Sequence, residues 1–163
     1  MLRYSTAACI ALTFCPAVQA EAFSFHNAPP SWRPDRFSIP LACHHYGKWG
    51  AQKKNDFNED NPGLIMTWEN RALELNYSIG AYKDSYSDTT TYLAVSQMWN
   101  IHPELQAGIV ASYRNSDGNG FTGFAPSLQI IYRNFFLDIS HGVNNGDHFG
   151  ALGLGFTFPL RRD

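Results

Sequence analysis

The chain has 163 residues, 44% of them hydrophobic and 15% aromatic but only 16% charged, with a formal net charge of −2. That length suits one domain. The aromatic content excludes a disordered tail, and the near-neutral balance excludes a nucleic-acid surface, which needs clustered Lys and Arg, so DNA and RNA are not expected partners.

Residues 1–20 read as a signal peptide: Arg3 gives a positive start, residues 7–14 are apolar, and Val18-Gln19-Ala20 offers the small residues that a signal peptidase accepts. Cleavage after Ala20 leaves 143 residues and removes Arg3, so 11 basic side chains face 14 acidic ones and the net charge becomes −3. Cys9 and Cys15 leave with the peptide. Cys43 then stands alone, which predicts a lone buried thiol and no intramolecular disulfide. Residues 21–37 form an N-terminal extension in which Pro29, Pro30 and Pro34 oppose a helix.

No later segment reaches the ~18 to 20 consecutive apolar residues of a membrane helix. Alternation with a period of two recurs instead. Weak runs span residues 38–46 and 63–69. Residues 72–82 place Leu73, Leu75, Tyr77, Ile79 and Ala81 on one face, and Glu74, Asn76, Ser78, Gly80 and Tyr82 on the other. Residues 91–99 set Leu93, Val95 and Trp99 against Tyr92, Ala94, Ser96 and Met98, and residues 105–113 repeat the scheme with Ile109 against Gly108 and Val110. Runs at 124–132 and 135–141 follow. The last is the cleanest, with Leu152, Leu154, Phe156 and Phe158 opposite Ala151, Gly153, Gly155 and Thr157. Eight strands over residues 38–158, with a tail at 159–163, predict an all-β, eight-stranded antiparallel up-and-down transmembrane β-barrel.

The links alternate as such a barrel requires. Those at Asn70-Arg71, residues 100–103 and Arg133-Asn134 are tight, whereas those at residues 47–62, 83–88, 114–123 and 143–147 are longer and polar. Trp68, Trp99, Phe135 and Phe158 fall beside the tight turns, where an aromatic belt belongs, and Tyr46, Tyr82, Tyr92, Tyr113 and Phe124 near the opposite rim. A soluble lipocalin-like barrel, the competing fold, needs large apolar residues inside. Here one face carries Leu and Phe and the other Gly, Ser, Asn and Gln, which suits an oily exterior.

The long loops and strand ends hold His44, His45, Asp84, Ser85, Asp88, Asn115, Asp117, Asn144, Asn145, Asp147 and His148, enough to bring a base, a carboxylate and a hydroxyl together at one rim. His26, His102, His141 and His148 show no metal-ligand spacing, so no metal is expected, and no nucleotide fingerprint implies a cofactor.

Four motifs narrow the reading. Ser38-Ile39-Pro40-Leu41-Ala42-Cys43-His44-His45, then Phe57-Asn58-Glu59, then Gly80-Ala81-Tyr82-Lys83-Asp84-Ser85-Tyr86, then Asn144-Asn145-Gly146 follow one another in the order and strand positions of the lipid A palmitoyltransferase (PagP) family, which the chain resembles from about Phe37 to Phe158. The resemblance implies a Gram-negative outer-membrane barrel, a monomer without cofactor, that moves an acyl chain from a phospholipid donor to a lipid A acceptor. It implies catalytic roles for His45, Asp84 and Ser85: a general base, a carboxylate that steadies the imidazolium, and an oxyanion donor or nucleophile. His44 is the alternative if the register slips. Ser96 falls where that family places a glycine at the floor of its acyl pocket, which implies chains somewhat shorter than palmitoyl. His141 stands where a proline is usual and is expected to add one ladder bond that narrows a lateral entry. A lipid hydrolase, and a catalytically silent barrel serving adhesion or envelope stability, are the alternatives from other classes.

Overall fold

A computed structural model describes residues 32–47, 58–118, 120–144 and 147–160. The expected signal peptide, most of the N-terminal extension, Phe57, Asn145, Gly146 and residues 161–163 lie outside them, and residues 32–35 contain no helix. Eight strands follow in order: β1 Arg36–Gly47, β2 Gly63–Trp68, β3 Asn76–Lys83, β4 Thr89–His102, β5 Leu105–Ser116, β6 Gly123–Tyr132, β7 Phe135–Asn144 and β8 Asp147–Pro159. Each pairs antiparallel with the next, and β8 pairs back onto β1 from Phe149↔Gly47 to Pro159↔Arg36, closing the barrel. Among the described residues no helix is long and apolar enough to cross a membrane.

The two faces separate as the alternation predicts. Leu93, Ile109 and Leu128 are 51, 53 and 55% exposed on the outside, whereas Thr90, Ser112 and Thr157 inside are 2% or less. Several interior hydroxyls satisfy one another or a carbonyl: Ser38 Oγ donates to Thr157 Oγ1 (2.9 Å), Thr67 and Ser78 share a bond (2.9 Å), and Ser112 donates to the Ala125 carbonyl (2.9 Å). A soluble barrel reverses this arrangement, because apolar area facing water is unfavourable by about 25 cal/mol per Å². Phe37, Phe158, Phe156 and Phe135 form a chain of ring contacts at 5.2–6.3 Å toward the end with the short turns, here called the turn end.

Three expectations need correction. The β2–β3 link is not the two residues Asn70-Arg71 but residues 69–75, because Ala72–Glu74 coil into a 3-10 turn with positive φ at Asn70, Leu73 and Glu74. Asn76 Oδ1 accepts from the Asn70 amide (2.9 Å) and fixes that coil, so strand alternation starts at Asn76. The β7–β8 link is short instead of long, since the strands extend to Asn144 and Asp147 and pair there. Tyr82 and Tyr92 stand near the loop rim on the inward face that the alternation assigns them, their rings 6.4 Å apart, while Tyr46, Tyr113 and Phe124 face outward there. Finally, His141 adds no ladder bond to β6, whose pairing with β7 stops at Ser127↔Ser140. The next residue on β6 is Pro126, which has no N–H to offer.

Adjacent turns at the turn end are tied together. Arg133, at φ 54°, donates its backbone amide to the Glu104 carbonyl (2.8 Å) and its Nε to the Glu104 carboxylate (3.0 Å), a bond that raises the guanidinium's pKa.

Candidate active site at the loop end

Which histidine faces the interior is decided by one extra residue. Arg36, Ser38 and Pro40 point inward, and uninterrupted alternation would carry His44 in after them. The β1–β8 register shifts between Pro40 and Ala42, leaving Leu41 as a bulge, so Cys43 and His45 turn inward opposite Gly153 and Ala151. Pro40 also ends the β1–β2 ladder, which stops at Ser38↔Ile65. Beyond it residues 59–61 lie along β1, through Cys43 N to Glu59 O (2.9 Å) and Asn61 N to Leu41 O (2.8 Å). His44 points out, its Nδ1 2.8 Å from the Glu59 carboxylate with both side chains more than half exposed.

His45 Nδ1 lies 3.4 Å from Ser85 Oγ, at the upper limit of a hydrogen bond. Ser85 is buried in the β3–β4 loop, residues 84–88, and Asp84 organises that loop. Asp84 Oδ1 accepts from the amides of Tyr86 (2.9 Å) and Asp88 (3.0 Å), an Asx-type turn; Oδ2 accepts from Thr90 Oγ1 (3.0 Å) and Ser116 Oγ (2.7 Å). Four donors match the roughly four lone-pair sites of a carboxylate. From the other side Asn58 N binds the Ser85 carbonyl (2.7 Å), and Asn61 Nδ2 binds the Lys83 carbonyl (2.9 Å).

The β5–β6 loop, residues 117–122, completes the wall. Ser116 Oγ accepts from the amides of Gly118 (3.3 Å) and Gly120 (3.2 Å) while donating to Asp84. A Cβ at Gly120 would collide with Asp84 Oδ2, on a carboxylate that four hydrogen bonds hold in place, so that position needs glycine for close approach; one at Gly118 would meet the end of the Asp88 side chain. Asp117 holds the start of β4, with Oδ1 accepting from Thr89 N (2.8 Å). Sequence reasoning missed Ser116 and Gly120, which no spacing rule connects to Asp84.

Below His45 the interior space measures about 1360 Å³, part of it open to solvent. Ile65, Tyr82, Tyr92, Ala94 and Val110 form an apolar cluster on the β2–β5 side. Arg114 and Asp138 face each other across the lumen at 3.4 Å, with Arg114 Nε on Ser112 Oγ (3.3 Å) and its guanidinium 6.0 Å from the Tyr92 ring. Asp138 Oδ1 is buried without a protein partner among the described residues. The sequence reading passed over this pair. Ser96, nearly buried, lies on the inward face of β4. Its register row runs through Val110, Ser127, Ser140 and Ala151 to His45. Five strand steps at ~4.8 Å, in strands tilted by ~45°, put Ser96 roughly 17 Å below His45 along the axis.

The remaining rim residues scatter. Asn115 points outward, and His148 lies on the exterior beside His141. The side chains of Asn144, Asn145 and Asp147 lie outside the described set. Among the described residues no three of His, Cys, Asp and Glu converge on a point that could hold a metal ion. No protein-family model matches the chain, and no curated protein matches it.

Proposed function

We propose that the barrel sits in an outer membrane and transfers an acyl chain from a phospholipid to a hydroxyl of lipid A, with His45 as general base. The observation that carries this reading is the His45–Ser85 contact of 3.4 Å at the head of a lumen with one apolar wall. An ester carbonyl at that point meets an imidazole that can take a proton from an attacking hydroxyl and return it to the leaving glycerol oxygen. Ser85 donates a hydrogen bond to the tetrahedral oxyanion, or attacks first and forms an acyl-enzyme. Asp84 fixes the loop that presents Ser85, and its charge favours the imidazolium formed in the transition state. The apolar exterior supports membrane insertion, since eight tilted strands with Leu and Phe outward match the lipid-facing band of such barrels. The acyl chain runs down the Tyr82, Tyr92 and Val110 wall toward Ser96, a depth of roughly 17 Å that suits about a dozen methylenes and so a chain shorter than palmitoyl.

Isotopically labelled phospholipid supplied to membranes containing the wild type or His45→Ala tests this. Label in lipid A that depends on His45 is expected. Free fatty acid as the labelled product would make the protein a hydrolase, and unchanged phospholipid would leave a structural barrel.

A further inference from the structure

The exterior carries a second pair of imidazoles that the acyl-transfer chemistry does not use. His141 on β7 and His148 on β8 are both exposed and outward-facing, diagonal neighbours across the last hairpin, since His141 pairs with Gly150 and His148 with Val143. His141 Nε2 lies 3.1 Å from His148 Nδ1, and the ring centroids are 5.3 Å apart at an interplanar angle of 32°. The nitrogens therefore meet edge to edge, one N–H donating to the other lone pair. The Tyr46 ring lies over Gly150, the backbone position facing His141, as a Cβ built there shows by colliding with it.

We propose that His141 and His148 form a chelating site for one borderline divalent cation of the Zn²⁺, Cu²⁺ or Ni²⁺ type. Two imidazole nitrogens each ~2.0–2.1 Å from a common ion, at angles between octahedral and tetrahedral, lie about 2.9–3.4 Å apart. The observed 3.1 Å falls inside that bite. The ion sits off the line between the nitrogens, so it displaces the shared proton and each ring turns. Both residues lie within three positions of the Asn144↔Asp147 end of the hairpin, at the rim, where the exposed rings can turn and one hydrogen bond holds them only weakly, by about 1 kcal/mol. The adjacent strands hold the two ligands at high effective concentration. Imidazole selects borderline transition ions, whereas Mg²⁺ and Ca²⁺ want oxygen. Two protein ligands leave the remaining positions to water or to phosphate oxygens near the rim. The site does not depend on the chemistry at His45.

Untagged full chain in non-ionic detergent, titrated calorimetrically with zinc chloride and, in parallel, with copper(II) under electron paramagnetic resonance, tests the proposal. Expected are one saturable equivalent, copper(II) hyperfine structure from two nitrogens, and no competition from Mg²⁺ or Ca²⁺. His141→Ala and His148→Ala should each weaken binding on the order of a hundredfold, as chelation reverts to one imidazole. His44→Ala, which removes an exposed imidazole on another strand, should leave it unchanged. All these side chains are exposed, so each variant should fold like the wild type, which migration with and without heating checks. Absence of saturable binding, or binding that survives either substitution at His141 or His148, overturns the site.

Discussion

Each end of the barrel sets a carboxylate beside a strand terminus, part-buried Asp35 at one and buried Asp84 at the other, and satisfies it differently. At the turn end Asp35 Oδ2 is gripped by the Arg71 guanidinium (2.7 Å) and the Glu69 amide (2.9 Å), next to an Arg36–Glu69 ion pair of 2.7 Å. At the loop end Asp84 receives two amides and two hydroxyls, all neutral. Charge is cancelled at the first and retained at the second. An ion pair of the first kind staples a turn, whereas a carboxylate held by neutral donors keeps its field available to a neighbouring imidazolium.

The contrast is broken most severely by Asp84→Ala. It strands four donors, each unsatisfied group unfavourable by about 1–3 kcal/mol, so acyl transfer should fall roughly a hundredfold to a thousandfold while the Tyr86 and Asp88 amides lose protection in hydrogen exchange. Asp35→Asn at the other end should lower stability by about 1–3 kcal/mol in a denaturant titration, with transfer within about twofold of wild type. Equal losses of activity from the two would erase the distinction. Gly120→Ala sharpens it without removing a polar group: the added methyl drives the β5–β6 loop off Asp84, and transfer should drop about tenfold to a hundredfold with the melting temperature little changed. Ser116→Ala removes one charge-assisted bond of about 1.5–3 kcal/mol; a loss of about tenfold in kcat with KM unchanged, restored by Ser116→Thr, separates positioning from binding. The smallest effect belongs to Ser96→Gly, which should lengthen the transferred chain by about one or two methylenes in mass spectra of lipid A, each methylene worth ~0.8 kcal/mol.

What the sequence made legible follows from the same contrast. Period two suffices for the faces of β5, β8 and β4 up to Asn100, where its register with β5 shifts, because each of these stretches alternates between two environments without a break. It fails at residues 72–74, where positive φ at Leu73 and Glu74 removes the chain from the ladder although apolar residues keep alternating. It also fails on β1, where the Leu41 bulge reverses the parity of every residue after it. There the resemblance, not the alternation, pointed to His45. Tyr82 and Tyr92 keep the inward face that alternation assigns them, although a tyrosine suits a membrane interface and a polar lumen equally well. Arg114, Asp138, Ser116 and Gly120 were invisible for a different reason. Their partners lie across the barrel or in another loop, and only the closed register brings them together.

His44 and His45 are adjacent in sequence, alike in chemistry and turned to opposite faces, so comparing their alanine variants isolates the central claim. Lipid A from cells expressing each variant, analysed by mass spectrometry, should carry the added acyl chain at wild-type level with His44→Ala and lack it with His45→Ala. Acylation that survives His45→Ala, or that disappears with His44→Ala alone, would contradict the account.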